Sequence, residues 1–124
     1  MKCPSCTTGR VVLPSFGLAR ACPQIPIEVY RTHLAWTMER LRAEKQDALV
    51  VYADRVHCSN VAYLTGFDPR FEEALLLLSS EGRRKLLVGN ECLGCLPDTQ
   101  ALGLEVELFQ EFSLMGQPRN ASDR

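Results

Sequence analysis

A layered α/β domain is what this chain's apolar pattern predicts, and three stretches carry the prediction. Val29, Tyr30, Leu34, Met38 and Leu41 recur at three- and four-residue steps, which is one apolar stripe on a helix. Directly after it, Asp47-Ala-Leu-Val-Val-Tyr-Ala53 is an unbroken apolar run of strand length. Two more such runs, Ala74 to Ser79 and Lys85 to Gly89, follow with a short polar link between them. A helix feeding strands of this kind packs as layers, here a mixed sheet of four to five strands with flanking helices.

The first 25 residues hold Pro, Gly and Cys without a sustained period, so extended segments and turns are expected there. Pro23 and Pro26 bracket a helix start, with Pro26 suited to the first helical position. The helix spans residues 27–45, with Arg31, Glu39, Arg42 and Glu44 off its apolar stripe. The strand over 47–53 lacks alternation, which suits cover on both faces. A short helix over 59–64 takes Ser59 or Asn60 as N-cap and ends before Gly66.

The strands 74–79 and 85–89 are joined by Ser80-Glu-Gly-Arg-Arg84, whose glycine is free to take positive φ, so they pair as an antiparallel hairpin. Cys92 to Leu102 reads as a turn and a short helix. Leu104-Glu-Val-Glu-Leu108 alternates strictly and is a half-exposed strand. From Gly116 to Arg124 a frayed tail is expected.

With 124 residues the chain makes one domain, able to bury roughly two-thirds of its unfolded surface. A formal charge of −1 gives no electrostatic reason for nucleic acid or an anionic membrane as partner. No run approaches the roughly 18 apolar residues of a membrane span. Met1-Lys2-Cys3 is not followed by the apolar core of a secretory signal, so a reducing cytoplasm is the expected compartment.

The six cysteines then read as thiols or metal ligands. Cys3-Pro-Ser-Cys6 before Gly9 has the shape of half a zinc knuckle. Its available second half is Cys92-Leu-Gly-Cys95, much farther along than paired CxxC motifs usually lie, so two separate pairs of reduced thiols are the default. A zinc site at Cys3, Cys6, Cys92 and Cys95, in a free-standing binding or scaffold protein, is one alternative. A redox dithiol at Cys92 and Cys95 is another. Cys58 beside His57 invites a dyad, but sequence neighbours point apart on a strand or helix. Glu72-Glu73 and Glu105/Glu107 read as solvated charge.

Between the apolar runs lies the most telling stretch. Asn60, Tyr63, Leu64, Thr65, Gly66 and Phe67 match a pattern Asn-x-x-Tyr-Leu-Thr-Gly-Phe, in register with the strands around it. This resembles the N-terminal domain of the creatinase/prolidase/Xaa-Pro aminopeptidase family, the pita-bread metallopeptidases. The likeness runs from about residue 13 to about residue 117, which leaves 1–12 as a Cys-containing head and 118–124 as a tail.

The resemblance implies a creatinase N-terminal fold with a ribonuclease H-like motif. It also implies a piece without the hydrolytic machinery, because the family's two divalent metal ions are bound by two Asp, one His and two Glu of a further, catalytic domain. This chain would thus carry no catalytic residue, no cofactor and no peptidase metal site of its own. Its partner would be a second copy or the catalytic domain. In the family this domain helps form dimers and sends loops toward a neighbouring subunit's substrate site. The matching positions here are His57, Asn60, Tyr63, Phe67, Arg70 and Phe71.

Packing readings stand beside these. Tyr63 and Leu64 suit the core, Asn60 serves equally as a helix cap, Gly66 serves backbone geometry, and Asp68-Pro69 starts a turn. Arg70 and Phe71 have few packing reasons to sit together on a loop held by two strands, so they carry the functional expectation best.

Overall fold

The computed structural model describes residues 9–15, 17–18 and 24–113. Cys3, Cys6, Cys22, Pro23 and the tail beyond Ser113 lie outside the described residues, and with them the expectations placed there.

Helix α1 spans Ile27–Ala43. Pro26 is its N-cap at φ −58° rather than its first helical residue, and Leu34, Met38 and Leu41 form its buried stripe. Val29, expected on that stripe, is 37% exposed, whereas Ile27 and Tyr30 on either side of it pack against the core. Four strands follow, β1 at Ala48–Ala53, β2 at Ala74–Ser79, β3 at Arg84–Val88 and β4 at Glu105–Leu108. Helix α2, Ser59–Thr65, lies between β1 and β2. A 3-10 turn at Glu91–Cys95 and helix α3 at Thr99–Leu102 lie between β3 and β4, and a last 3-10 turn covers Gln110–Phe112.

The strand order is β1-β2-β3-β4. β1 with β2 and β2 with β3 run antiparallel, whereas β3 with β4 is parallel, so the sheet is mixed as expected. The Ser79 amide donates to the Arg83 carbonyl at 2.9 Å and closes the β2–β3 hairpin, with Gly82 at φ +105°.

One face of the sheet holds the core. Ala53, Ala74, Leu76, Leu78, Leu86 and Val88 meet Leu34 and Met38 of α1, Val61 and Leu64 of α2, and Leu102 of α3. The other face carries Val50, Tyr52, Leu75, Leu77 and Leu87, together with Lys85, whose ammonium bridges Glu107 at 2.7 Å and Glu105 at 3.2 Å. Those two glutamates are thus paired charges, not freely solvated ones. β1 is not covered on both faces. Val50 is 58% and Tyr52 44% exposed, because β1 is an edge strand and the helices lie against one face only.

Candidate functional site

The residues from Asp54 to Glu73 leave β1 and return to β2, and four local devices shape them. At the exit, Asp54 folds an Asx turn. Its Oδ1 accepts from the Val56 amide at 2.7 Å and the His57 amide at 2.6 Å, and His57 Nδ1 stands 3.1 Å from both carboxylate oxygens. The His57 amide, then the His57 ring and the Val56 amide, hold the Asp54 carboxyl down at about 2. Tyr52, at the end of β1, lies within reach of Glu73 and Asp54. Partial desolvation first, then those two carboxylates, push its hydroxyl above the ordinary phenol range.

Second comes α2. Its N-cap is Cys58, so neither Ser59 nor Asn60 caps it; both already belong to its first turn. The Thr65 hydroxyl donates back to the Val61 carbonyl at 2.7 Å, and Gly66 ends the helix at φ +76°. Only glycine suits Gly66, since a Cβ there would lie 2.9 Å from the Tyr30 ring.

Third is the Asp68-Pro69 turn. Asp68 Oδ1 accepts from the Arg70 amide at 2.8 Å and the Pro69 carbonyl from the Phe71 amide at 2.8 Å. Arg70 is held at φ +59°, a left-handed conformation that costs a side-chain-bearing residue about 1 kcal/mol or more. Arg70 and Phe71 are both exposed there.

The fourth device is Glu72, expected in solvent and found only 3% exposed. Its carboxylate accepts from the Glu91 amide at 3.2 Å and the Cys92 amide at 2.9 Å, which caps the 3-10 turn and ties the two loops together. Gly89 lies against it so closely that a Cβ would stand 2.5 Å from Glu72 Oε2. Cys92, buried beside this carboxylate, donates its thiol to the Pro69 carbonyl at 3.1 Å. Burial first, then Glu72, pushes the Cys92 thiol strongly up, opposite to what a redox or metal-binding cysteine needs. Cys95 is exposed and donates to the Cys92 carbonyl. Among the described residues no three His, Cys, Asp or Glu side chains gather as a metal site.

The six expected partner-facing residues therefore divide. Phe67, at 1% exposure, is core and drops from the set, because the turn after Gly66 swings it under the sheet. Asn60 and Tyr63 line one groove of about 340 Å³ with Thr37, Leu49, Val50 and Val51. Tyr63 is not core: it is 53% exposed, and its ring lies against His33 with centroids 3.8 Å apart. His57, Arg70 and Phe71 stand on the loop itself, and no hydrogen bond, ion pair or ring contact among the described residues joins them to Asn60 or Tyr63.

Sequence reasoning passed over His33 and Trp36, whose rings continue this aromatic surface at 6.3 Å. Their signal was present as aromatic residues at 30, 33 and 36, a three-residue step along α1 beside the aliphatic stripe. Tyr52, Asp54 and Glu72 were also missed, since their roles depend on which strand end meets which loop.

A mixed four-stranded sheet backed by α1 and α2 is a layered α/β fold, and it is shared with a solved Xaa-Pro aminopeptidase. An Xaa-Pro aminopeptidase from Streptococcus pyogenes superposes with a TM-score of 0.50 at 22% identity, over 64% of this chain and 55% of that one. The creatinase/prolidase-like N-terminal domain of a putative metallopeptidase from Corynebacterium diphtheriae aligns with a TM-score of 0.48 at 18% identity, over 64% of this chain and 58% of that one. This chain thus spans little more than half of either relative, and at 22% identity the likeness to the Xaa-Pro aminopeptidase shows the fold alone. No family model and no curated protein matches the sequence. Among the described residues no helix is long and apolar enough to cross a membrane.

Proposed function

We propose that this chain is the non-catalytic N-terminal domain of an Xaa-Pro aminopeptidase-like or dipeptidase-like metallopeptidase, working in a dimer in the cytoplasm. The loop from Asp54 to Glu73 shapes a neighbouring subunit's substrate site, and the two divalent metal ions belong to the catalytic domain. One observation supports this reading most: Arg70 and Phe71 are exposed on a loop whose backbone is fixed by Asp68 and whose base is anchored by buried Glu72. A rigid loop presenting an arginine and an aromatic ring has the residue types that anchor interfaces and recognise carboxylates. His57, Asn60 and Tyr63 contribute polar and aromatic surface on either side.

The test has two parts. Light scattering on the purified chain should find a dimer at micromolar concentrations. The same chain with Mn²⁺, Co²⁺ or Zn²⁺ should hydrolyse no Xaa-Pro dipeptide above background. Turnover that follows the protein through purification and vanishes with chelator overturns the non-catalytic assignment.

A further inference from the structure

Among the described residues the outer side of β1 has no partner strand. The Ser80 amide donates to the Asp47 carbonyl at 2.8 Å, which marks 47, 49, 51 and 53 as the positions whose backbone groups face β2. Alternation then turns the N–H and C=O of Ala48, Val50 and Tyr52 outward, and no bond to them is formed among the described residues. Free edges are ordinarily guarded by lysine, proline, a bulge or an inward charge. Ala48-Leu-Val-Val-Tyr-Ala53 has none of these, and its register with β2 runs unbroken from Ala48↔Ser79 to Ala53↔Ala74.

The ground beside this edge is hollow as well. The groove at Asn60 and Tyr63 shares Thr37 and Leu49 with a second one of about 440 Å³, walled by Trp36, Arg40 and Leu41. Leu49 and Val51, the core-side residues of β1, are only half-buried along it, whereas Leu76 and Leu78 on β2 are 0% and 1% exposed. Among the described residues no strand lies beside β1 along these grooves.

We propose that β1 of a second copy of this chain fills the slot, the two strands pairing antiparallel about a two-fold axis at Val51. This deepens the dimer reading above and rests on it. The outward groups belong to even-numbered residues, so hydrogen-bonded pairs must join even to even. The axis at Val51 sets Val50 opposite the second copy's Tyr52 and leaves Val51 opposite itself as a non-hydrogen-bonded pair.

Charge selects this register. Asp47 precedes the strand and Arg55 follows it, both exposed. Pairing about Val51 brings each Asp47, in the bend before β1, beside the other copy's Arg55, in the Asp54 turn after it, twice by symmetry. The neighbouring register about Val50 sets Asp47 opposite Ala53 and gains nothing.

Sedimentation equilibrium on the full chain across the micromolar range tests the proposal. Asp47→Arg or Arg55→Asp alone places like charges together at both ends and should weaken the dimer about tenfold. The combined D47R/R55D chain should return to within about threefold of the native dimer.

Val51→Cys adds a direct readout, because Cα atoms about 4.5 Å apart in such a pair lie within disulfide range. Oxidised V51C should give a covalent dimer beyond the level of the native chain, and V50C should not. A dimer indifferent to the charge swaps, with V51C uncrosslinked, overturns the edge pairing and leaves the dimer reading standing. A chain that stays monomeric, its edge open or covered by another of its own segments, overturns both.

Discussion

The His33 imidazole lies flat on the Tyr63 ring, with planes 12° apart, while its Nδ1 stands 2.7 Å from the Tyr63 carbonyl oxygen. One side chain of α1 thus grips both the ring and the backbone of α2, with the Nδ1 proton donated to the carbonyl. His33→Ala and Tyr63→Ala should each cost about 1 kcal/mol, and the double variant should cost less than their sum by about 0.5–1.5 kcal/mol. Denaturant melts of the four chains check this. Strict additivity would mean that the stacked pair adds nothing to stability.

Loop and core predict opposite rankings. Leu76 is fully buried and Leu76→Ala should cost about 2–5 kcal/mol. Phe71 is 56% exposed, so Phe71→Ala should cost under about 1 kcal/mol, as should Arg70→Ala. If Phe71→Ala destabilises as strongly as Leu76→Ala in the same melts, Phe71 is packing and the partner-facing loop loses its aromatic anchor.

Glu72 is a structural carboxylate. Glu72→Ala strands the Glu91 and Cys92 amides without acceptors and should cost about 2–4 kcal/mol, with Glu72→Gln milder. Gly89→Ala should destabilise as well, since its new methyl would meet Glu72 Oε2 at 2.5 Å and the Phe112 carbonyl at 2.8 Å. Thermal melts at neutral pH measure all three, and a Glu72→Ala chain as stable as the parent would refute the anchoring role.

Acid sensitivity follows from Asp54. Its folded pKa is lowered to about 2 from 3.8, so its contribution is fully present above the unfolded value and is lost as pH falls from about 4 through about 2. Asp54→Asn, which keeps an acceptor for the turn but does not titrate, should flatten the melting temperature against pH in that window. An unchanged acid slope would mean that other carboxylates dominate it.

Thiol chemistry separates the cysteines. In the folded chain Cys92 should resist iodoacetamide at mildly alkaline pH while Cys58 and Cys95 react, and unfolding should equalise them. Mass spectrometry of timed samples reads this directly. Fast labelling of folded Cys92 would reopen the dithiol reading.

Much of this architecture can be read in the residues. The stripe Leu34, Met38, Leu41 declares the helix because burial period and backbone period coincide there, and the unbroken apolar runs at β1, β2 and β3 declare strands by their length. The pattern Asn60 to Phe67 declares the family likeness. What stayed hidden depends on neighbours distant in sequence. β1 reads as doubly buried, since an edge strand with one open face differs from a central one only by what lies beside it. Glu72 reads as solvated because nothing in Glu72-Glu73 tells which carboxylate will meet the amides of residues 91 and 92. Tyr63 and Phe67 exchange their expected places because the turn of α2, not hydrophobicity, decides which ring goes under the sheet.

The parallel pairing of β3 with β4 fixes an order of assembly. β2 and β3 meet across a turn of a few residues, so their ladder closes a short loop and forms early. β4 pairs with β3 only after residues 89–104 have crossed over through the 3-10 turn and α3, a far longer closure. Amide exchange should therefore be slowest at Leu77 and Leu87, whose amides face each other's strand across the β2–β3 ladder, and fastest among the bonded strand amides at Glu105 and Glu107. On this reading the last strand should open and re-dock while β1, β2 and β3 stay paired.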